Sequence, residues 1–460
     1  MAQQQPVLQR RRLSASRPVV SSLPRAVPPP GNGRKALWGT ATLTPLPAGP
    51  HYQSVGQGGY ACVISPAAPC DPSGQIAVPG GTAVVGKVFM DPENPREPTA
   101  AREAQDELNE ARHIEALDPH HDFTPQIYGG CAIPNSVVPQ LEGCPRDRLR
   151  VKPGGEPRVE LVMESGGKDW SRVRWPNPAT FLGAIKTVLK GLGVFVAHSV
   201  VHNDLKQKNL LYNAETGRTR IIDFGLTTSF AAAFDAANLA TDYEYWPPEQ
   251  AILGWLRDQT AQESVVKILY RGENSRGSAL HFLKWSGSLQ THLVDLGLAR
   301  RLAAVGGTVS RAAPRDTVGI WTAQMREFVD KLRAAVPNPS DVSALRAVYT
   351  QLLPKHDIYG LGVSLQWIIA QEHVSYDHDT TAEDIRALAL GMSEPSPLHR
   401  LSITDALAMV DRLQHKRQQQ PPATLQPQQA PSNQAPPRSP VRVAMDVGWE
   451  DYARRPRRRL

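Results

Sequence analysis

The chain has 460 residues, 41% of them apolar, and a formal charge of +7. That length suits two to three domains with a real core, while 41 Pro and 35 Gly point to long irregular stretches as well. The positive charge sits at the ends, with seven Lys/Arg and no Asp/Glu in residues 1–36 and nine Lys/Arg against three Asp/Glu in 416–460. The middle is therefore acidic, and any nucleic-acid contact falls to the basic tails.

The four cysteines, Cys62, Cys70, Cys131 and Cys144, include no C-x-x-C pair. Zinc and a disulfide framework are both unexpected on that count, and reduced thiols in an intracellular setting, cytoplasmic or nuclear, are the reading. No apolar run follows the basic N-terminal residues, and none reaches about 18 residues, so neither a signal peptide nor a membrane span is expected.

In chain order, residues 1–49 are Pro-, Arg- and Ser-rich without periodicity and are expected to be disordered. Residues 52–165 read as strand-rich, with β-branched runs in "TAVVGKVF" and "VELVME". Early in this part, "SVGQGGYACV" places Gly56 and Gly58 in a turn whose backbone N–H groups could approach phosphates. Within "VVGKVF", Lys87 is flanked by apolar residues. It gains meaning if a carboxylate from the helical "TAAREAQDELNEARHIEAL" faces it. Glu110 is the best partner, because Ile114 and Leu117 share its helix face; Glu107 is the runner-up.

From about residue 176 the pattern turns helical. "FLGAIKTVLKGLGVFVAHSV" repeats apolar residues every three to four positions. Then comes "VHNDLKQKN". Phosphoryl transfer to a hydroxyl needs an acceptor to orient that hydroxyl, a cation near the γ-phosphate and an oxygen ligand for a metal. Asp204, Lys206 and Asn209 supply one of each. The strand-like "RII" delivers Asp223, with Gly225 letting the chain turn after it, and a carboxylate there suits bridging metal ions. Two amphipathic helices are expected in "DTVGIWTAQMREFVDKLRAAV" and "PSDVSALRAVYTQLL". Residues 416–460 return to Gln, Pro and Arg and are expected to be disordered.

These pieces, in this order, resemble the eukaryotic protein kinase family. The resemblance extends to "YEYWPPEQ", "HDIYGLGVSL" and "RLSITDAL", and covers roughly residues 52–250 and 355–413. Lys206, two residues after Asp204, resembles the Ser/Thr-directed branch. The implied fold is α+β and bilobal, within residues 50–415: a small β-rich N-lobe (about 52–165) and a larger α-helical C-lobe (about 166–415) with a helical insert (about 252–352). The implied cofactors are ATP and Mg²⁺, and the implied partner is a protein substrate. ATP would contact Val55, Gly56, Gly58, Val63, Val85, Lys87, Met163 as gatekeeper, the backbone of Glu164 and Ser165, and Leu211. Asn209 and Asp223 would hold the metal. Asp204 would act as catalytic base beside Lys206, Asp357 would brace the loop, and Arg400 would pair with Glu249.

Several positions depart from the family pattern. Asn203 stands where the family has an Arg that binds an activation-loop phosphate, so phosphorylation of that loop is not expected to be needed. Ala61 replaces the third glycine. Asp242 fills the usual Thr position, with Thr241 one residue earlier. "LVDLGLARR" mimics a metal-binding run but lies beyond "PPE", so Asp295 reads as a surface residue. Asp357 stands 108 positions after Glu249, and the stretch between them is read as helical padding of the large lobe, with a docking surface for a substrate or partner as the alternative. An insert-bearing kinase with basic tails is similar in outline to those encoded by large DNA viruses. The rival functions are a pseudokinase scaffold working through the insert and tails, and a small-molecule kinase. The oligomeric state is left open.

Overall fold

A computed structural model describes residues 51–58, 60–71, 76–92, 99–151, 157–236, 245–257, 324, 327–375 and 379–419. The expectations for residues 1–49, for most of the C-terminal tail, for Thr241, Asp242 and Asp295, and for much of the insert lie outside the described residues.

Six strands form one sheet in the order β4-β6-β3-β2-β1-β5. They are β1 (Tyr52–Gln57), β2 (Ala61–Ser65), β3 (Val84–Phe89), β4 (Ile127–Ala132), β5 (Leu141–Glu142) and β6 (Val159–Glu164). Directly opposed residues of an antiparallel pair project to the same side. The pairs Val63↔Lys87, Lys87↔Leu161 and Val85↔Met163 therefore set Val63, Val85, Lys87, Leu161 and Met163 on one face. Helix α1 (Ala100–Leu117) covers part of that face, packing Ala100, Ala104 and Leu108 with Ala61, Phe89 and Leu161. Its first turn is capped by Thr99, whose hydroxyl accepts from the Arg102 N–H at 3.4 Å.

The opposite face buries Cys62, Ile64 and Val88 against Tyr52, Leu141, Cys144 and Leu149. It also carries both disulfides, Cys62–Cys144 and Cys70–Cys131. The expectation of four reduced thiols is overturned, and with it the thiol argument for an intracellular setting. Counting local C-x-x-C pairs could not see these bonds. They join residues 82 and 61 positions apart, each linking a sheet residue, Cys62 or Cys131, to a loop residue, Cys144 or Cys70.

Glu160 lies on that same face, fully buried. It fits because Gly86 has no side chain: a Cβ there would stand 2.1 Å from Glu160 Oε2. One backbone N–H, from Ala68, donates to its carboxylate at 3.2 Å.

The larger lobe is built on helix α3 (Pro178–Ala197), whose N-terminus is capped by Asn177 accepting from the Thr180 N–H at 2.9 Å. Among the described helices of at least 18 residues, α3 is the one long and apolar enough to cross a membrane. Here ten of its residues are buried, and eight of them, among them Phe181, Ile185, Val188, Leu189 and Leu192, share the main core with residues of helices later in the chain. Those later helices are α7 (His356–Ala370), α8 (Asp379–Met392) and α9 (Ile403–Gln419). Between α3 and them lie the short helix α4 (Phe230–Ala236) and the longer α5 (Pro248–Arg257) and α6 (Val342–Leu352), while the short α2 (Arg146–Leu149) belongs to the small lobe. Small strands β7 (Lys168–Asp169), β8 (Val200–Val201), β9 (Leu210–Asn213), β10 (Arg218–Ile221) and β11 (Thr228–Ser229) pair as β10-β9-β7 and β11-β8. Helix α7 lies hard against the segment after β8, and a Cβ on Gly360 would stand 2.4 Å from the Leu205 carbonyl oxygen. A β-rich lobe and a helical lobe are thus the observed architecture.

Helix α5 runs through position 252 to Arg257. Of the two helices expected in the insert, residues 327–335 are helical and α6 is formed with Asp341 as its cap.

Glu160 gives this fold a pH signature. Burial pushes its carboxyl up from its ordinary 4.5 to about 8. Between those values the folded chain holds a proton that the unfolded chain has lost, so this group makes stability fall as pH rises from about 4.5 through about 8. Glu160→Gln should flatten that fall. Thermal melts of both proteins across pH 5 to 9 check it, and parallel curves would remove Glu160 as the cause.

Candidate active site

Asp357, at the start of α7, is buried and organises the loop after β8. Its two carboxylate oxygens accept the N–H groups of His202 and Asn203 at 2.7 and 2.9 Å. Burial raises its pKa, and these N–H groups and His202 work in the opposite direction. His202 then reaches the second half of the site. Its Nε2 donates to the Ile222 carbonyl at 3.0 Å, while Nδ1 accepts from the Asp204 N–H at 3.3 Å, which fixes the tautomer. One ring thereby ties Ile222, the residue before Asp223, to Asp204 itself.

Asn203 sits at φ 64°, in the left-handed region. Asn is one of the few non-glycine residues that occupy this region readily. Its carbonyl accepts from Trp246 Nε1 at 2.7 Å, fastening the stretch before α5 to the loop. Trp246 was not singled out from sequence, because an aromatic before two prolines carries no signal of this hydrogen bond.

Asp204, Lys206 and Asn209 come together as expected. Lys206 Nζ donates to both Asp204 oxygens at 3.0 and 2.8 Å. Asn209 Nδ2 donates to the Asp204 backbone oxygen at 2.8 Å and to Oδ2 at 2.9 Å. Two acceptors on one side fix the amide orientation and turn its oxygen away from Asp204. Asp223 lies just beyond Ile222, whose N–H donates to the Asn209 carbonyl at 3.0 Å. The turn here is made by Asp223 itself, at φ 66° and ψ 68°, and not by Gly225, which lies inside a single 3-10 turn, Phe224–Leu226. Phe224 is buried edge-on to His202 and Phe195 and shares the core with Ile114 of α1.

On the sheet, Lys87 Nζ contacts Glu107 at 2.6 and 2.7 Å. This corrects the expected order: Glu107 pairs with Lys87, and Glu110 is the buried carboxylate one turn on. Both lie on the inward face of α1, with Ala104 and Ile114. Helical periodicity fixes the face but not which turn stands opposite a given strand residue.

The glycine turn joins β1 to β2, with the Gly58 N–H donating to the Ala61 carbonyl at 2.9 Å. Val55 is exposed before it, and its carbonyl accepts from Arg172 at 3.0 Å. Ala61 is buried under α1, which gives its methyl a packing role. At the end of β6 the expectation for the backbone needs correction. The N–H groups of Glu164 and Ser165 donate to Gln126 O at 2.8 Å and Ala83 O at 2.9 Å, so neither is left to face a ligand. The Glu164 carboxylate is held by Arg220, itself buried, at 3.0 and 3.2 Å. Arg220 was missed because "RTRII" reads as a strand with solvated charges. The next two residues bring the chain onto β9. Gly167 has φ +88°, and a Cβ there would stand 2.2 Å from the Tyr212 carbonyl; Gly166 lies against Leu211. In the large lobe, Arg400 and Glu249 form the expected pair at 2.6 and 2.9 Å, both buried.

A sequence profile described as "Protein kinase domain" matches residues 172–265. Two curated proteins are similar over short stretches. "Probable serine/threonine-protein kinase fnkB" of Dictyostelium discoideum is 34% identical over 68 residues, 14% of this chain and 13% of that one. "Calcium-dependent protein kinase 9" of Oryza sativa subsp. japonica is 34% identical over 110 residues, 22% of this chain and 19% of that one. The chain thus spans a fifth or less of each relative, and neither bears on a viral source. Over these stretches the chain is similar to protein kinases, and its bilobal α+β fold is consistent with that likeness.

The backbone at Asn203 gives a direct test of the loop. Asn203→Gly should leave stability within about 0.5 kcal/mol, whereas Asn203→Val should cost about 1–2 kcal/mol by forcing a β-branched residue left-handed. Urea denaturation of the three proteins measures this, and equal midpoints for the Gly and Val variants would contradict the backbone account.

Proposed function

We propose that this chain transfers the γ-phosphoryl group of ATP to Ser or Thr hydroxyls of protein substrates. The observation that carries the reading is the Asp204 carboxylate, held by Lys206 and Asn209 in one loop beside Asp223, with Lys87 already paired to Glu107. ATP would lie on the sheet face that bears Val63, Val85, Lys87 and Met163, under the turn of Val55, Gly56 and Gly58 and over Leu211. The chain after Ser165, at Gly166, would offer the backbone groups for the adenine edge. Lys87, oriented by Glu107, would hold the α- and β-phosphates.

The donor set at the metal position consists of the Asn209 amide oxygen and the Asp223 carboxylate. Both are hard oxygen ligands, and they fit Mg²⁺ rather than a thiophilic metal. Bound Mg²⁺ would neutralise charge on the phosphate oxygens. Asp204 would accept a hydrogen bond from the substrate hydroxyl and aim its oxygen in line, taking the proton as the new oxygen–phosphorus bond forms and the bond from the γ-phosphorus to the bridging oxygen of the departing ADP breaks. Lys206, already at the Asp204 carboxylate, would offset charge on the transferred group. Such chemistry is mostly positioning, and the site's hydrogen bonds are positioning devices.

The Lys87–Glu107 pair argues against the scaffold reading, since a chain that only binds partners gains nothing from orienting that lysine. The buried Arg400–Glu249 pair supports a protein substrate over a small molecule, because it anchors the segment expected to form the platform beside the loop.

Asp204→Ala should keep MgATP affinity within about threefold while phosphate transfer falls by about 10³-fold. Glu107→Gln should lower kcat/KM for ATP by about 10²-fold, and Glu110→Gln by less than about threefold. Isothermal titration and a steady-state transfer assay measure these. Wild-type rates in Asp204→Ala would end the assignment of the base, and a larger loss in Glu110→Gln would restore the expected pairing.

A further inference from the structure

Two departures from the family pattern, Asn203 and the long insert, both engage the activation segment, the stretch from Asp223 to Glu249: Asn203 through Trp246, and the insert through α4. Helix α4 begins directly after β11, seven residues past Asp223. Strand β11 is itself paired to β8, which leads into the Asp204 loop. Phe230, Ala233 and Phe234 of α4 are buried in a second core, formed with Ile252, Leu253 and Leu256 of α5 and with Leu345 and Tyr349 of α6. Helix α6 belongs to the insert.

Two cations from flanking elements converge on the end of α4. The Arg346 guanidinium of α6 lies 5.1 Å from the Phe234 ring centre, and that of Arg257 of α5 lies 5.6 Å from it. Arg346 also binds the Asp235 carboxylate through both terminal nitrogens, at 2.6 and 2.8 Å. Arg257 donates to the carbonyls of Phe234 and Asp235. Asn203, by contrast, brings no charge to this segment and holds it through its carbonyl and Trp246.

Resting on the kinase reading above, we propose that α6 is a built-in brace for the activation segment. It replaces a phosphate–arginine contact with the Asp235–Arg346 pair and the packing of Phe234. Burial of Phe234 against Leu345 and Tyr349 supplies most of the attachment. The ion pair is half exposed and adds less by strength than by direction, because a bidentate arginine fixes one geometry. Arg346 and Phe234 are positioning residues: they touch neither nucleotide nor the reacting hydroxyl, and act by holding α4, and through it β11 and Asp223. The insert is thereby a working part of the lobe rather than padding.

Arg346→Ala removes the pair and the ring contact at a surface position and should fold. Hydrogen–deuterium exchange of the amides in 228–236 should quicken about tenfold, while strand β3 is unchanged. In a transfer assay, kcat should fall about fivefold with KM for ATP unchanged. Reversing the pair, Asp235→Arg with Arg346→Asp, should recover much of both losses. Phosphatase-treated wild type should keep full activity. The brace is overturned if exchange changes only within α6, if kcat does not move, if the reversed pair restores neither readout, or if phosphatase treatment abolishes activity. A wild type without transfer activity would sink the kinase reading, and the exchange measurement would still decide the brace.

Discussion

Everything at the site hangs on one buried carboxylate. Asp357 receives two successive backbone N–H groups, those of His202 and Asn203, and in doing so sets the conformation of the residues before Asp204. His202, so fixed, reaches the Ile222 carbonyl and aligns the chain that carries Asp223. A carboxylate in this position is costly to bury, and its own hydrogen bonds offset that cost. The left-handed turn at Asn203 follows from the same contact, which asks two consecutive N–H groups to face one side chain. The loop residue that looked most anomalous is therefore a conformational fit, with a carbonyl engaged by Trp246.

The small lobe shows a division of labour between the two faces of its sheet. One face, alternating with the other along β2, β3 and β6, keeps Lys87 beside α1 and free of the core. The other is a closed hydrophobic layer stapled by two disulfides and holding Glu160. Cross-links spanning 82 and 61 positions restrict the unfolded chain strongly, on the order of 4 kcal/mol each in the chain-entropy picture. A lobe with little core of its own gains rigidity from them, and rigidity under the glycine turn would serve the phosphoryl transfer proposed for the site.

Much of this was legible in the sequence. Local chemistry was plainest: Asp204, Lys206 and Asn209 lie within six residues, and so short a loop leaves their side chains few places to go. Long-range pairs were legible where the family resemblance named both partners, as with Arg400–Glu249 and the Asp357 brace. What could not be read were quantities set by tertiary register. Glu107 and Glu110 share a helix face, and only the axial placement of α1 chooses between them. Cys62 and Cys131 share one sheet face by strand order, and their loop partners Cys144 and Cys70 reach them only in the folded chain. The N–H groups of Glu164 and Ser165 are engaged by Gln126 and Ala83, residues far off in sequence. The insert looked inert because its helices carry no catalytic residues; its contacts with Phe234 and Asp235 appear only in the folded chain.

The most direct test is phosphate transfer by the wild-type chain itself. Purified protein, first dephosphorylated, is incubated with radiolabelled ATP, Mg²⁺ and generic acidic and basic protein substrates, and the product is hydrolysed for phosphoamino-acid analysis. The account predicts label on phosphoserine and phosphothreonine, well above that given by Asp204→Ala. Label no higher than in that variant, with MgATP still bound, would contradict it and leave a nucleotide-binding scaffold in its place.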